Sequence, residues 1–257
     1  MTCFNRELLR ELPKVLRARD FHLYLEGGKR LTDLWRQGGK AVLGHKSPRI
    51  LFELKNAAER GLFCTFPHPL EKRFLKALGE IFPGRQFRLF LNEGSLYQAL
   101  EKAGFTTQAH QTLPLWRPFA EPMDEKNYSA MKFFTPVLPF PLGPEVLVLE
   151  KDMDFPAGEL IPPVLLAPAA RALYDLAAAM KAKNLPRFPR IDKVPPCRWQ
   201  RQGIYLTTDV KGEAYTALFR RFLEAGFLLP PSPEEPAILP FSMSPGEEAK
   251  LAQLLTS

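Results

Sequence analysis

The sequence predicts an α/β fold. Two short apolar runs of strand character, Phe87–Leu91 and Val146–Leu149, each lead on to a stretch of helical periodicity. Helix ends are punctuated by caps, prolines and glycines, and 46% of the 257 residues are hydrophobic, enough to bury a full core in one large or two modest domains.

Taken in order, residues 4–19 alternate apolar and charged positions at helical spacing with Pro13 inside, which predicts a short helix broken or kinked there. Phe21–Glu26 and Lys29–Leu34 switch to a period of two around Gly27-Gly28, the signature of a β-hairpin. Ser47 as N-cap, Pro48 in the first turn and an apolar stripe of Ile50, Leu51, Leu54, Ala57 and Ala58 before Gly61 predict a helix over 48–60. Pro69 opens a second helix, which turns Leu70, Phe74, Leu75, Leu78 and Ile81 inward and stops at Pro83-Gly84. Phe87–Leu91 then reads as a buried strand and Ser95–Ala103 as a helix ended by Gly104.

Residues 105–145 carry no sustained period. Glu145–Glu150 reads as a central strand and Leu165–Lys183 as a long helix with one buried face. Arg201–Thr207 is expected as one strand, Glu213–Ala225 as a helix and Phe227–Pro230 as a further strand. Ser244-Pro245-Gly246-Glu247 has capping-box spacing and starts a helix through Leu255. Prolines, 26 in all, crowd residues 136–168 and 186–196, which predicts stiff extended connections there.

Composition removes several function classes. No run approaches the roughly 20 apolar residues of a membrane span. Cys3, Cys64 and Cys197 are an odd, unclustered set without a C-x-x-C pair, so neither a disulfide framework nor a zinc site is expected, and a reducing cytoplasm is the default location. Of the net charge of +7, the basic excess lies in residues 1–90, interleaved with glycine turns rather than gathered on one helix face, which disfavours nucleic acid. There is no phosphate-binding G-x-x-x-x-G-K, no G-x-G-x-x-G and no G-x-S-x-G. His22, His68 and His110 have no spaced partners, and no metal ligand set is predicted.

One stretch carries chemistry of its own. Phe90-Leu91-Asn92-Glu93-Gly94-Ser95 passes from strand through a turn into a helix, leaving free N–H groups as a potential anion cradle; the plainer reading is a strand–turn–helix corner capped by Ser95. Glu93 beside it is unfavourable for an anion.

With Tyr24-Leu25-Glu26-Gly27-Gly28, Leu31-Thr32-Asp33-Leu34 and Leu43-Gly44-His45-Lys46-Ser47-Pro48, this stretch resembles, in order and spacing, the opening part of class III pyridoxal-phosphate aminotransferases of the glutamate-1-semialdehyde aminomutase type. Residues 215–255, with Leu223-Glu224-Ala225-Gly226 and Pro230-Pro231-Ser232, resemble the same family's C-terminal pattern. The resemblance implies a reduced fold-type I architecture with an α+β terminal domain: residues 1–90 as the N-terminal segment, 91–195 as a remnant of the large cofactor domain, and 196–257 as the small C-terminal domain. It also implies a phosphate cup at Asn92, Gly94 and Ser95, with His45 in a turn approaching the pocket.

The family's aspartate for the pyridine nitrogen and its Schiff-base lysine are not recognisable. Asp175 falls inside a predicted helix, and Lys193 is a weak catalytic candidate, with Lys181 and Lys183 behind it. The expectation is therefore a relative without Schiff-base catalysis and without a cofactor, retained to bind a small anion or a protein partner such as a full-length aminotransferase. The alternative is a minimal pyridoxal-phosphate enzyme with a relocated lysine. A homodimer is expected, because Trp35, Phe63, Phe66, Trp116 and Phe119 are more than a small remnant domain can easily bury.

Overall fold

A computed structural model of the protein describes residues 6–105, 113–120, 131–182 and 186–256. Packing divides the chain into two compact units. The first joins Met1–Lys46, Phe119–Pro122 and Asn184–Ser257; the second joins Ser47–Pro118 and Met123–Lys183. Compactness thus cuts across the chain's sequential segments, since residues 47–90 belong with the middle of the chain.

In the first unit, α1 (Arg6–Arg10) precedes β1 (Val15–Arg19), β2 (His22–Leu25) and β3 (Arg30–Asp33). The three strands form an antiparallel meander, and β10 (Phe227–Leu228) adds to β3 in parallel. Gly27 and Gly28 take positive φ between β2 and β3, as the predicted hairpin requires. The helix expected over residues 4–19 survives only as α1. Beyond Pro13 the chain instead returns as a strand through a two-residue connection at Asp20-Phe21, where Asp20 sits at φ 50°. Pairing with β2 outweighs the helical spacing of these residues.

The predicted strand over Arg201–Thr207 is a hairpin, β8 (Trp199–Gln202) and β9 (Tyr205–Thr208), folded at Gly203 with φ 60°. A short β11 (Ala237–Ile238), unforeseen in the sequence, lies on the other side of β9. The helices of this unit are α6 (Gly212–Glu224) and α7 (Pro245–Thr256). The capping box forms at α7: Glu247 Oε2 accepts from the Ser244 N–H at 3.0 Å, and Ser244 Oγ accepts from the Glu247 N–H at 3.3 Å.

In the second unit, β4 (Gln86–Phe90), β7 (Glu145–Leu149), β6 (Phe133–Pro136) and β5 (Leu115–Trp116) form one sheet in that spatial order. β7 is central, as expected, and antiparallel to both neighbours; β5 runs parallel to β6. β5 and β6 arise in the stretch that has no sequence period. They are too short to show one. α2 (Pro48–Glu59) and α3 (Pro69–Ile81) pack against the long α5 (Pro163–Ala182). α4 (Glu93–Lys102) covers β4 and β7, where Phe90, Leu96, Leu100, Leu147, Leu149 and Phe155 form a core cluster.

The free edge of β4 is closed by the chain around Gly158. The Glu159 N–H donates to Leu89 O at 2.7 Å, and a Cβ at Gly158 would lie 2.6 Å from both Leu89 N and Leu89 O. Among the described residues, no helix is long and apolar enough to cross a membrane.

Of the five aromatics expected at a dimer surface, most find cover within the chain. Phe119 is 2% exposed and its ring packs on Phe241, Trp116 meets Phe82 edge-on, and Phe66 is half-buried against a core cluster. The half-buried Trp35 indole N–H donates to Glu235 at 2.7 Å. Phe63 remains outside, 60% exposed.

Candidate functional site

The strand–turn–helix corner after β4 exists as predicted, but its cap is Asn92, not Ser95. Asn92 Oδ1 accepts from the Ser95 N–H at 3.0 Å, with Asn92 in extended backbone immediately before α4. The Leu91 N–H donates to the Glu159 carboxylate at 2.7 Å. Two of the corner's donors are therefore occupied by the chain's own oxygens. Two carboxylates, Glu93 and Glu159, stand at the helix end where a phosphate would lie. Tyr97, one turn further along α4, has its phenol pushed up by burial first and by the Glu93 carboxylate second. Gly94 is exposed and Ser95 half-buried.

His45 belongs to the other compact unit. Its turn is fixed by backbone pairing with Asp20: the His45 N–H donates to Asp20 O at 2.6 Å and the Asp20 N–H to His45 O at 3.2 Å. Gly44 takes φ 94°, and a Cβ there would come within 2.9 Å of Asp20 O, so only glycine suits the position. The His45 ring bonds through Nε2 to Asp33 Oδ2 at 2.9 Å. Asp33, 3% exposed, also accepts through Oδ1 from the N–H groups of Trp35 and Arg36 at 2.9 and 2.8 Å.

Arg36 is completely buried beside this carboxylate. Its guanidinium donates to the carbonyls of Asp33, Val42 and Ile238 and lies over the Phe21 ring at 4.6 Å. Burial lowers its pKa to about 10, against the Asp33 charge that holds it up. Sequence reading named Asp33 only as part of a pattern. Its partnership with His45 had no local signal, and neither did the role of Glu159, 68 residues from the Leu91 N–H that it holds.

Lys193 ends a short 3-10 turn, Ile191–Lys193, and is exposed. Lys181, also exposed, faces Glu80 at 3.7 Å; Lys183 lies outside the described residues. Asp175, inside α5, is held by Arg171 at 2.6 Å and Arg49 at 3.3 Å. Asn92, Gly94 and Ser95 belong to the second compact unit, and His45, with its partner Asp33, and Lys193 to the first. Among the described residues, no cluster of histidine, cysteine or carboxylate side chains could hold a metal.

No protein-family model matches the chain. An uncharacterized protein of Treponema pallidum is 27% identical across 93% of each sequence. The glutamate-1-semialdehyde 2,1-aminomutase of Thermus thermophilus is 29% identical over 83 residues, 32% of this chain and 20% of that enzyme. Solved structures extend the likeness to nearly the whole chain. An omega-transaminase from Sphaerobacter thermophilus superposes with a TM-score of 0.68 at 10% identity, covering 98% of this chain and 95% of that one. The ornithine delta-aminotransferase of Plasmodium falciparum gives 0.66 at 11% identity, covering 98% and 96%. The chain has the aminotransferase α/β fold.

Proposed function

We propose that this protein is a reduced aminotransferase-fold protein that acts by binding, without Schiff-base catalysis. One observation carries the reading: among the described residues no lysine is buried, and all but the half-buried Lys40 are exposed. Pyridoxal-phosphate chemistry needs a lysine that stays uncharged in a desolvated pocket. The cofactor's phosphate would also need the N-terminus of α4, which is capped by Asn92 and flanked by Glu93 and Glu159. The described donor set does not fit the group. The same two carboxylates disfavour a small anion at that corner, which leaves a protein partner as the better supported ligand.

The test is an absorbance scan of the purified protein with pyridoxal phosphate, then borohydride reduction and peptide mass spectrometry over every lysine, Lys126 and Lys183 included. The reading expects no aldimine band and only scattered labelling of surface lysines. A band with one stoichiometrically modified lysine would overturn it.

A further inference from the structure

The β8–β9 hairpin leaves one edge open. β8 ends its three-stranded sheet: it pairs with β9 on one side and, among the described residues, with no strand on the other. The two-residue loop at Gly203 puts the ladder bonds at Gln202 and Gln200, so the main-chain groups of Trp199 and Arg201 face away from β9. The Trp199 and Arg201 side chains share one face of the strand, and both line a cavity of about 180 Å³. The buried Ile191, Leu206 and Leu255 line it as well, with the exposed Pro196. The cavity is therefore mostly apolar and of a size for one large aliphatic side chain.

Charge selects the occupant. Arg201 is pinned in place: Nη1 meets Asp192, Nε donates to Gly203 O at 2.8 Å, and the guanidinium lies 5.2 Å from the centre of the Phe188 ring. Its Nη2 has no hydrogen-bond partner among the described residues, which leaves a pre-oriented donor for a carboxylate at the cavity. Around it Arg187, Arg190, Lys193 and Arg198 are exposed, and residues 187–201 hold no acidic residue besides Asp192. An acidic chain is favoured there, and an open strand edge beside an apolar cavity suits an extended one. We propose that the edge of β8 and its cavity dock an extended acidic segment of a partner protein, with one apolar side chain in the cavity and a carboxylate on Arg201. The proposal rests on the protein-partner reading above and gives that partner its chemistry.

Fluorescence anisotropy tests it with a fluorescein-labelled peptide of glutamates and threonines that carries one central leucine and a glutamate two places from it. The wild-type protein should bind this probe saturably, and more weakly as salt rises. Serine in place of the leucine should raise the dissociation constant about tenfold or more. Lysines in place of the glutamates should abolish binding, and a copy N-methylated along the edge that faces β8 should bind far more weakly. On the protein, Arg201→Ala and Pro196→Glu should each raise the dissociation constant about tenfold, with circular dichroism showing both variants folded. No binding of the probe would overturn the proposal, as would binding indifferent to the leucine, the glutamates or these two substitutions. An N-methylated copy as tight as the original, with octanoate displacing both, would assign the cavity to a free apolar acid and also overturn it. The lysine labelling is read independently: a failed probe leaves that result untouched, and one reactive lysine leaves the probe's binding to be measured as before.

Discussion

Asp33 holds together the corner that the sequence marked only through His45. Its two oxygens receive the Trp35 and Arg36 N–H groups and the His45 ring, and its charge faces the fully buried Arg36. Asp33→Asn keeps the shape but leaves the buried guanidinium without its counter-charge. The expected loss is about 3 kcal/mol in unfolding free energy, read as a lower urea midpoint at unchanged slope. Gly158 is a second residue with no substitute. A methyl group there would strike the Leu89 backbone, and Gly158→Ala should cost roughly 2 kcal/mol by prising the covering chain from the β4 edge. The sequence offered no hint of this glycine, because its neighbour in space lies 69 positions earlier.

At the scale of elements, caps and turns were legible where they are local. The Gly27-Gly28 hairpin, α3 after Pro69 and the Ser244–Glu247 capping box formed as their residues predict. Ser47 takes the N-cap position of α2 but makes no side-chain capping bond. The box at α7 does more than cap: Glu247 Oε1 also receives His22 and Arg30, each at 2.9 Å, which ties the helix start to β2 and β3. Burial pushes the Glu247 carboxyl up, but Ser244 and then His22 outweigh it and bring the pKa from 4.5 to about 2. A depressed carboxyl contributes stability that is complete above its unfolded value near 4.5 and lost as pH falls through about 2. Glu247→Gln should lower stability by about 1 to 2 kcal/mol at neutral pH and flatten the acid limb between pH 4.5 and 2 in urea titrations at stepped pH.

Over the whole molecule, the sequence by itself determined the α/β class, the helix boundaries set by proline and glycine, and the order of motifs that resembles an aminotransferase. These are local signals, and a few neighbouring residues suffice to carry them. The tertiary structure alone decided what depends on distant partners. It paired β1 with β2 against a helical spacing, and it built β5 and β6 from a stretch without periodicity. It also joined the two ends of the chain in one compact unit. Likewise it filled the α4 corner with Asn92 and Glu159 and left the described lysines at the surface. The physical reason is the same throughout. Burial, pairing and charge compensation are properties of groups brought together by folding, and the sequence spacing of those groups leaves no trace of their meeting.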